Sequence, residues 1–376
     1  MMASLSLPVN GYGRHEVLPR GPEWKQIEEE LSAAKVRLSL FQRLAWAEVS
    51  PEGRYRLLTV RDDDGRVLGG VALQLDKSRV LPGYRYLRVT RLGEGIPREA
   101  WEPIIVALTK LVREEPKILR LSVRVFSRHD HEEIGALLER HGFHQEPRPT
   151  AYRNTLSIDL LRDEAAIMAG LNKSARKNLR DADRSVLCVR TITEDRYVDR
   201  ITLLEQMAIR RTQGTCSPMN WASVMKLSRD HPELSRVVGL FLSERELEPE
   251  SLVGFAWGCI NGPSGEYRAG GTTHIPNMKV SISHRLVRDL ILWSKRQGAQ
   301  WFDMGGVTVG EPVTHPLHGV TVFKRHFTHH MEVVGDEWSL EPHPVRAELV
   351  RRIGDWVRES TDALQRMRNG HRRRLS

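Results

Sequence analysis

The chain has 376 residues, 40% of them hydrophobic and 28% charged, which leaves room for two domains of ordinary size with normal cores. Its formal net charge of +9 points to an anionic partner: nucleic acid, a phosphorylated substrate or a membrane surface. Three widely spaced cysteines, Cys188, Cys216 and Cys259, make no metal-ligating pattern and fit a reducing cytoplasm, and the lack of any long apolar run predicts neither a signal peptide nor a spanning helix.

Residues 1–21, rich in Gly, Pro and polar groups, read as a loose tail. Helices are expected over 24–40 and 41–46. Segments 55–60 and 67–75 alternate apolar and polar around Asp62-Asp63-Asp64-Gly65, a hairpin signal. A third strand at 84–89 is followed by a helix over 98–113, where Trp101, Ile104, Ile105, Leu108, Leu111 and Val112 share a face. A strand at 118–125, a helix at 131–141 and a strand at 152–158 complete the first half.

The second half opens on its most informative stretch, 171–189. At 3.6 residues per turn, Lys173, Arg176, Lys177 and Arg180 form one cationic stripe. Met168, Leu171, Ala175, Leu179 and Ala182 fall on the opposite side. A charge run is commonly a solvated face, but a helix built for solubility mixes signs, and no carboxylate sits inside this stripe. A strand at 186–189, helices at 195–211 and 221–228, strands at 237–242, 252–260 and 266–270, a helix at 281–296 and a strand at 301–304 follow. The order strand, turn, strand, strand, helix, strand thus occurs twice, a repeat of topology more than of sequence. It predicts two α/β (α+β) domains of one kind, 22–160 and 161–337. A C-terminal helix within 338–376, with Leu349, Ile353, Trp356 and Leu364 on one side, is expected to pack back on the first.

Three further stretches bear on chemistry. Asp303 ends a strand and precedes Gly305 and Gly306, which places a carboxylate on a sheet rim where α/β proteins bind ligands; the plainer reading is a turn-capping Asp. Lys324 follows Phe323 inside an apolar segment, where a partly desolvated ammonium can stabilise an oxyanion or, once its pKa falls, act as a base; the plainer reading is a snorkelling surface lysine. Arg210 and Arg211 stand at a helix end, which the helix dipole alone would favour. There is no Walker loop and no dinucleotide fingerprint, and His326, His329 and His330 lack a zinc spacing. Arg91-Leu92-Gly93-Glu94-Gly95 is faintly similar to a pyrophosphate-cradling loop but one residue short of the acyl-CoA form, and 274–283 has no such loop.

In order and spacing these stretches resemble the Fem (FemABX) family of tRNA-dependent aminoacyltransferases, two acetyltransferase-like (GNAT-type) domains in tandem, over about residues 24–356. Gln42 and Trp46 look like the family's Gln-to-Trp helix, and Lys173 to Arg180 with Ala182 its Lys-Ser-x-Arg-Arg/Lys helix. Tyr267 with Gly270 resembles its Tyr strand. Gly298 with Asp303, Gly305 and Gly306 resembles its Gly-x-x-x-(Tyr/Phe)-Asp-x-Gly-Gly segment, and Gly319, Phe323, Lys324 and Phe327 its Gly-x-x-x-Phe-Lys-x-x-Phe segment. Val49 and Ser50 stand where some members carry a substrate-binding lysine, Arg91-Leu92-Gly93-Glu94 replaces an Arg-Gly-Pro segment, and no coiled-coil arm is present.

The resemblance implies two tandem GNAT-like domains and transfer of an aminoacyl group from aminoacyl-tRNA to an amine acceptor, a peptidoglycan precursor or a peptide-like natural product. It implies catalytic roles for Lys324 and Phe323, substrate binding by Arg211, Tyr267 and Asp303, and tRNA binding by Lys173, Arg176, Lys177 and Arg180. No cofactor and no metal are expected beyond aminoacyl-tRNA as co-substrate, and the expected location is the cytoplasm. Two other readings stay open: an acyl-CoA-dependent N-acyltransferase, and an RNA-binding module whose folds have lost chemistry.

Overall fold

The computed structural model describes residues 7–8, 14–147, 149–212, 219–242, 247–273, 283–312, 314–346, 348 and 352–353. Its strands form two sheets. The first holds eight: β1 (Leu7–Pro8), β2 (Arg14–Pro19), β3 (Tyr55–Arg61), β4 (Val67–Lys77), β5 (Arg85–Gly93), β6 (Ile118–Phe126), β7 (His144–Gln145) and, late in the chain, β15 (Glu337–Leu340). The second holds seven: β8 (Asn154–Asp159), β9 (Cys188–Thr191), β10 (Ser235–Phe241), β11 (Leu252–Asn261), β12 (Ser264–Thr272), β13 (Trp301–Gly306) and β14 (Met331–Val333).

The helices are α1 (Pro22–Ala33), α2 (Leu44–Glu48), α3 (Arg98–Glu114), α4 (His131–Arg140), α5 (Glu164–Gly170), α6 (Lys173–Asp183), α7 (Val198–Arg211), α8 (Trp221–Asp230), α9 (Ser283–Arg296) and α10 (His318–Arg325). Each sheet is covered on both faces because its central strands are apolar on both. In the first, Val71, Val89 and Val123 pack with Ile104 and Leu108 of α3, while Leu57 and Ala72 pack with Trp24 and Ile27 of α1. In the second, Val238 and Ala256 pack with Leu286 and Leu290 of α9, while Val237 and Phe255 pack with Leu204 of α7 and Trp221 of α8. No helix among the described residues is long and apolar enough to cross a membrane.

The repeat is present. In each half three antiparallel strands lead through a helix to a fourth that is parallel to the third: β3, β4, β5, α3, β6 and β10, β11, β12, α9, β13. A parallel neighbour requires a crossover of this kind.

Several boundaries differ from expectation. The 152–158 strand, read as the end of the first half, is β8, and it pairs with β13 and β14 in the second sheet. Conversely, 337–340, at the expected end of the second half, is strand β15, which runs antiparallel to β6 and β7 in the first. Alternation of side chains fixes which face of a strand is buried, not which sheet receives it. Of the helix expected over 345–367 only 345–346, 348 and 352–353 are described; Leu349, Trp356 and Leu364 lie outside the described residues. Within the expected tail, β2 pairs with β3 and buries His15 and Leu18. The 24–40 helix stops at Ala33, because Lys35 adopts φ 62°, a conformation helices exclude.

Candidate active site

The site is set by where β12 and β13 part. They pair from Ser264–Trp301 to Glu266–Asp303 and no further. Beyond that point β13 keeps only its pairing with β8, present from Trp301 onward, and β12 only its pairing with β11, as far as Thr272. A bulge lies just past this point: Gly258 opposes Tyr267 and Trp257 opposes Ala269, so Arg268 is the extra residue on β12. A bulge bends its strand and re-aims a side chain.

On the β13 side, Asp303 is fully buried. Its Oδ1 accepts hydrogen bonds from Gly305 N at 2.7 Å and from the Thr155 hydroxyl, and its Oδ2 from the Tyr152 hydroxyl at 2.7 Å and Arg91 at 3.4 Å. Asp303 therefore shapes the glycine turn; it does not stand free on a rim. Gly305 takes φ 75°, and a Cβ there would lie 3.2 Å from Lys324 Nζ. Lys324, in the last turn of α10, donates from Nζ to Gly306 O at 2.7 Å. It is only 7% exposed, so it is not a snorkelling lysine. Burial lowers its pKa to about 8, against the pull of Asp303 and Glu266. An ammonium therefore occupies the gap between the strands at neutral pH.

Phe323 belongs to a ring cluster that seats α10. Its ring meets Phe327 at 5.4 Å and His284 at 5.2 Å, and His284 Nε2 lies 3.1 Å from His326 Nδ1. On the other wall, the Tyr267 hydroxyl lies 2.3 Å from where a Gly270 Cβ would be, so only glycine admits it. Burial pushes the Tyr267 pKa up to about 12, and the nearby Arg211 charge opposes this. Arg211 is exposed at the end of α7; the Gln213 and Gly214 beyond it lie outside the described residues. Lys324 Nζ and Tyr267 O each lie 3.2 Å from where a Gly305 Cβ would be. Asp303 acts on Lys324 and Arg211 on Tyr267, so the four are gathered where the strands part.

The cationic stripe lies close by. Ala175, Leu179 and Ala182 are buried, while Lys173, Arg176, Lys177 and Arg180 are exposed. Asn172 caps α6 by accepting from Ala175 N at 2.8 Å, and its own N–H donates to His326 O at 3.0 Å. The basic helix therefore starts on the peptide that ends the lysine helix. Lys173, Lys177 and Arg180 meet no carboxylate among the described residues. Arg176 differs from expectation: it donates to Ala169 O at 2.7 Å and Leu171 O at 2.6 Å, closing the C-terminus of α5.

The seam between the halves was not legible beforehand. Arg91 occupies a second bulge, on β5, with φ 62°. It donates to Glu266 at 2.7 Å and lies 3.2 Å from Glu94, with its guanidinium 3.5 Å above the Phe126 ring. Arg268 donates to the other oxygen of Glu266 at 2.8 Å. Burial alone would raise the Glu266 pKa, but Arg268 and Arg91 hold it below the usual value. Burial pushes Glu94 up to about 8 despite Arg91 beside it. The one signal in the sequence was Glu266, the only acid in the strand Ser264–Thr272. The stretch similar to a pyrophosphate loop is closed: Glu94 N donates to Phe126 O at 2.8 Å, and a Cβ on Gly95 would lie 2.2 Å from Arg37 O. Gln42, read with Trp46 as part of one helix, instead bridges Ala72 N on β4 to Thr90 O on β5. Among the described residues no group of acids, histidines and cysteines could hold a metal ion.

No family model and no curated protein matches this sequence. Solved structures do. FemX superposes with a TM-score of 0.69 over 86% of this chain and 98% of that one, at 14% identity. The C-terminal domain of a putative lysylphosphatidylglycerol synthetase from Agrobacterium fabrum gives 0.53 over 87% and 95%, at 9% identity. L-PGS from Bacillus licheniformis gives 0.53 over 89% and 97%, at 14%. The chain thus shares the fold of FemX and of the two other structures, with the unit of three antiparallel strands, helix and parallel strand present in each half.

Proposed function

We propose that the protein transfers an aminoacyl group from aminoacyl-tRNA to an amine acceptor by ester aminolysis. The observation that carries this reading is the Lys324 ammonium, held 2.7 Å from Gly306 O in the gap between β12 and β13, at the foot of an exposed cationic helix. In the reaction the acceptor's neutral amine attacks the ester carbonyl, a C–N bond forms, and the tetrahedral oxyanion sits against Lys324 Nζ. The C–O bond to the ribose then breaks, and the amine's proton leaves with the ribose hydroxyl. The donor ester is already activated, so the protein's part is positioning and charge stabilisation, with no covalent intermediate and no cofactor. Gly305 N donates to Asp303, which leaves the lysine as the donor for the oxyanion. Phe323 seats the lysine helix through its contacts with His284 and Phe327, Tyr267 and Arg211 line the acceptor side, and Lys173, Lys177 and Arg180 take the phosphates.

The test offers the protein total tRNA charged with labelled amino acids, and labelled acyl-CoA in parallel, against a small-molecule amine extract. Label is expected in an alkali-stable product from the tRNA arm alone. A Lys173→Ala/Lys177→Ala/Arg180→Ala variant should need more charged tRNA and show a shallower salt dependence, by about 0.9 in log–log slope for each phosphate left without its cation. Transfer from acyl-CoA alone makes the protein an N-acyltransferase of the other kind. Binding of tRNA without transfer from either donor makes it an RNA-binding module.

A further inference from the structure

We infer that His284 and His326 are positioning residues: the hydrogen bond between them sets the rotation of α10 and so aims the Lys324 ammonium at the gap between β12 and β13. Calling Lys324 the reacting group rests on the reaction proposed above. Helix α10 has little packing of its own. Of its eight residues only Thr321 and Lys324 are buried, and Val322 is exposed. Near its start Thr321 Oγ1 lies 3.0 Å from Thr308 Oγ1, which ties the helix to the segment after β13. At its end the ring cluster takes over. His284 is 1% exposed and stands in the first turn of α9, whose Leu286, Leu290 and Ile291 are buried in the core of the second sheet. It is therefore the fixed side of the contact. Its ring stacks on those of Phe327 and His326 at 5.2 and 5.3 Å, and its Nε2 meets His326 Nδ1 at 3.1 Å.

Packing alone does not call for histidine at 284, since a phenylalanine would fill the same cluster. Ring contacts tolerate sliding, whereas a hydrogen bond is directional. His326 follows Lys324 by two residues and keeps helical dihedrals, so it lies about 200° round the same axis. With His326 pinned, α10 does not turn without drawing Lys324 away from Gly306 O. Two imidazoles meet through facing nitrogens when one proton lies between them, so at least one ring is neutral. Burial lowers the His326 pKa, and the charge of His329 adds to the effect, which favours that state at neutral pH. His326 also has a second link: its backbone O accepts from Asn172 N, where α6 begins. Its side chain thus fixes the lysine and its backbone the cationic helix, and mutation separates the two.

The test uses the full chain with 13C-labelled lysine, the Lys324 signal being the one lost in Lys324→Arg. His326→Ala removes the bond from its half-exposed side. Single-turnover transfer should slow about tenfold to a hundredfold at unchanged tRNA affinity, and the Lys324 titration should move up by about one unit as water reaches the ammonium. His326→Asn, whose amide can reach the same position as Nδ1, should restore both. His284→Phe, which keeps the ring and loses the bond, should behave as His326→Ala does. Thr328→Val removes a neighbouring bond to Ser157 O and should leave both readouts as in the wild type. The inference is overturned if His326→Ala leaves the Lys324 titration unmoved, if His326→Asn is as impaired as His326→Ala, or if Thr328→Val moves the titration equally. The His326 variants decide the matter even if His284→Phe does not fold. In a protein that transfers nothing, a moved titration keeps the positioning and removes the reaction. A moved titration with an unchanged transfer rate keeps the positioning and takes Lys324 out of the chemistry.

Discussion

The two halves share one unit of strands and helix but treat its last strand pair in opposite ways. In the first half β5 and β6 remain neighbours from Arg85–Ile118 to Gly93–Phe126. In the second, β12 and β13 separate after Glu266–Asp303. Each half has a bulge with an arginine in it, but the bulges face different partners. On β5 the bulge lies against β6 and turns Arg91 into the seam. On β12 it lies against β11, which leaves the β13 side free to open. The same topology is thereby sealed in one copy and cleft in the other. Both arginines end on one carboxylate, Glu266, so the sealed half braces the strand from which the open half departs.

That brace is the first place to break the comparison. Glu266→Ala would take from the buried Arg91 and the part-exposed Arg268 the carboxylate they share. Removing one partner of a buried pair costs about 3–5 kcal/mol, so the urea midpoint should fall steeply. An unchanged midpoint would mean that the seam is not held by these charges. A smaller effect sharpens the claim that the first half is sealed. Gly95→Ala puts a Cβ into Arg37 O at φ 77° and should cost about 1–3 kcal/mol. Gly310→Ala, also at φ 77° but with nothing within 4 Å, should cost only about 1 kcal/mol. Equal losses would indicate room at Gly95 for a bound pyrophosphate.

What could be read beforehand follows from which interactions are local. The cationic stripe was legible because Ala175, Leu179 and Ala182 repeat with the helix period, and all three are buried. The repeat of strands and helix was legible for the same reason; Lys324 and the Gly305-Gly306 pair were each singled out through likeness to a family motif, but their contact was not. Of the two readings of Asp303, its bond from Gly305 N is the turn-capping one, while its other partners, Tyr152, Thr155 and Arg91, could not be foreseen because they stand 151, 148 and 212 positions away. The Arg91–Glu266 contact spans 175 positions and depends on two bulges that no hydrophobic pattern announces. The exchange of β8 and β15 between the sheets was hidden because a strand's pattern does not name its neighbour.

The central claim is that the opened half carries chemistry through the Lys324 ammonium. Removing one preorganised donor to an oxyanion costs on the order of 10²–10³ in rate. The direct test is the pH dependence of single-turnover transfer from saturating, preloaded aminoacyl-tRNA, for the wild type, Lys324→Ala and Lys324→Arg. The lysine is charged below its pKa of about 8, so the wild-type rate should fall as pH rises beyond that point. Lys324→Arg should be slower but lack this alkaline fall, because guanidinium keeps its proton, and Lys324→Ala should be slow throughout with little change in tRNA affinity. A Lys324→Ala rate equal to wild type, or the same alkaline fall in Lys324→Arg, would contradict the assignment.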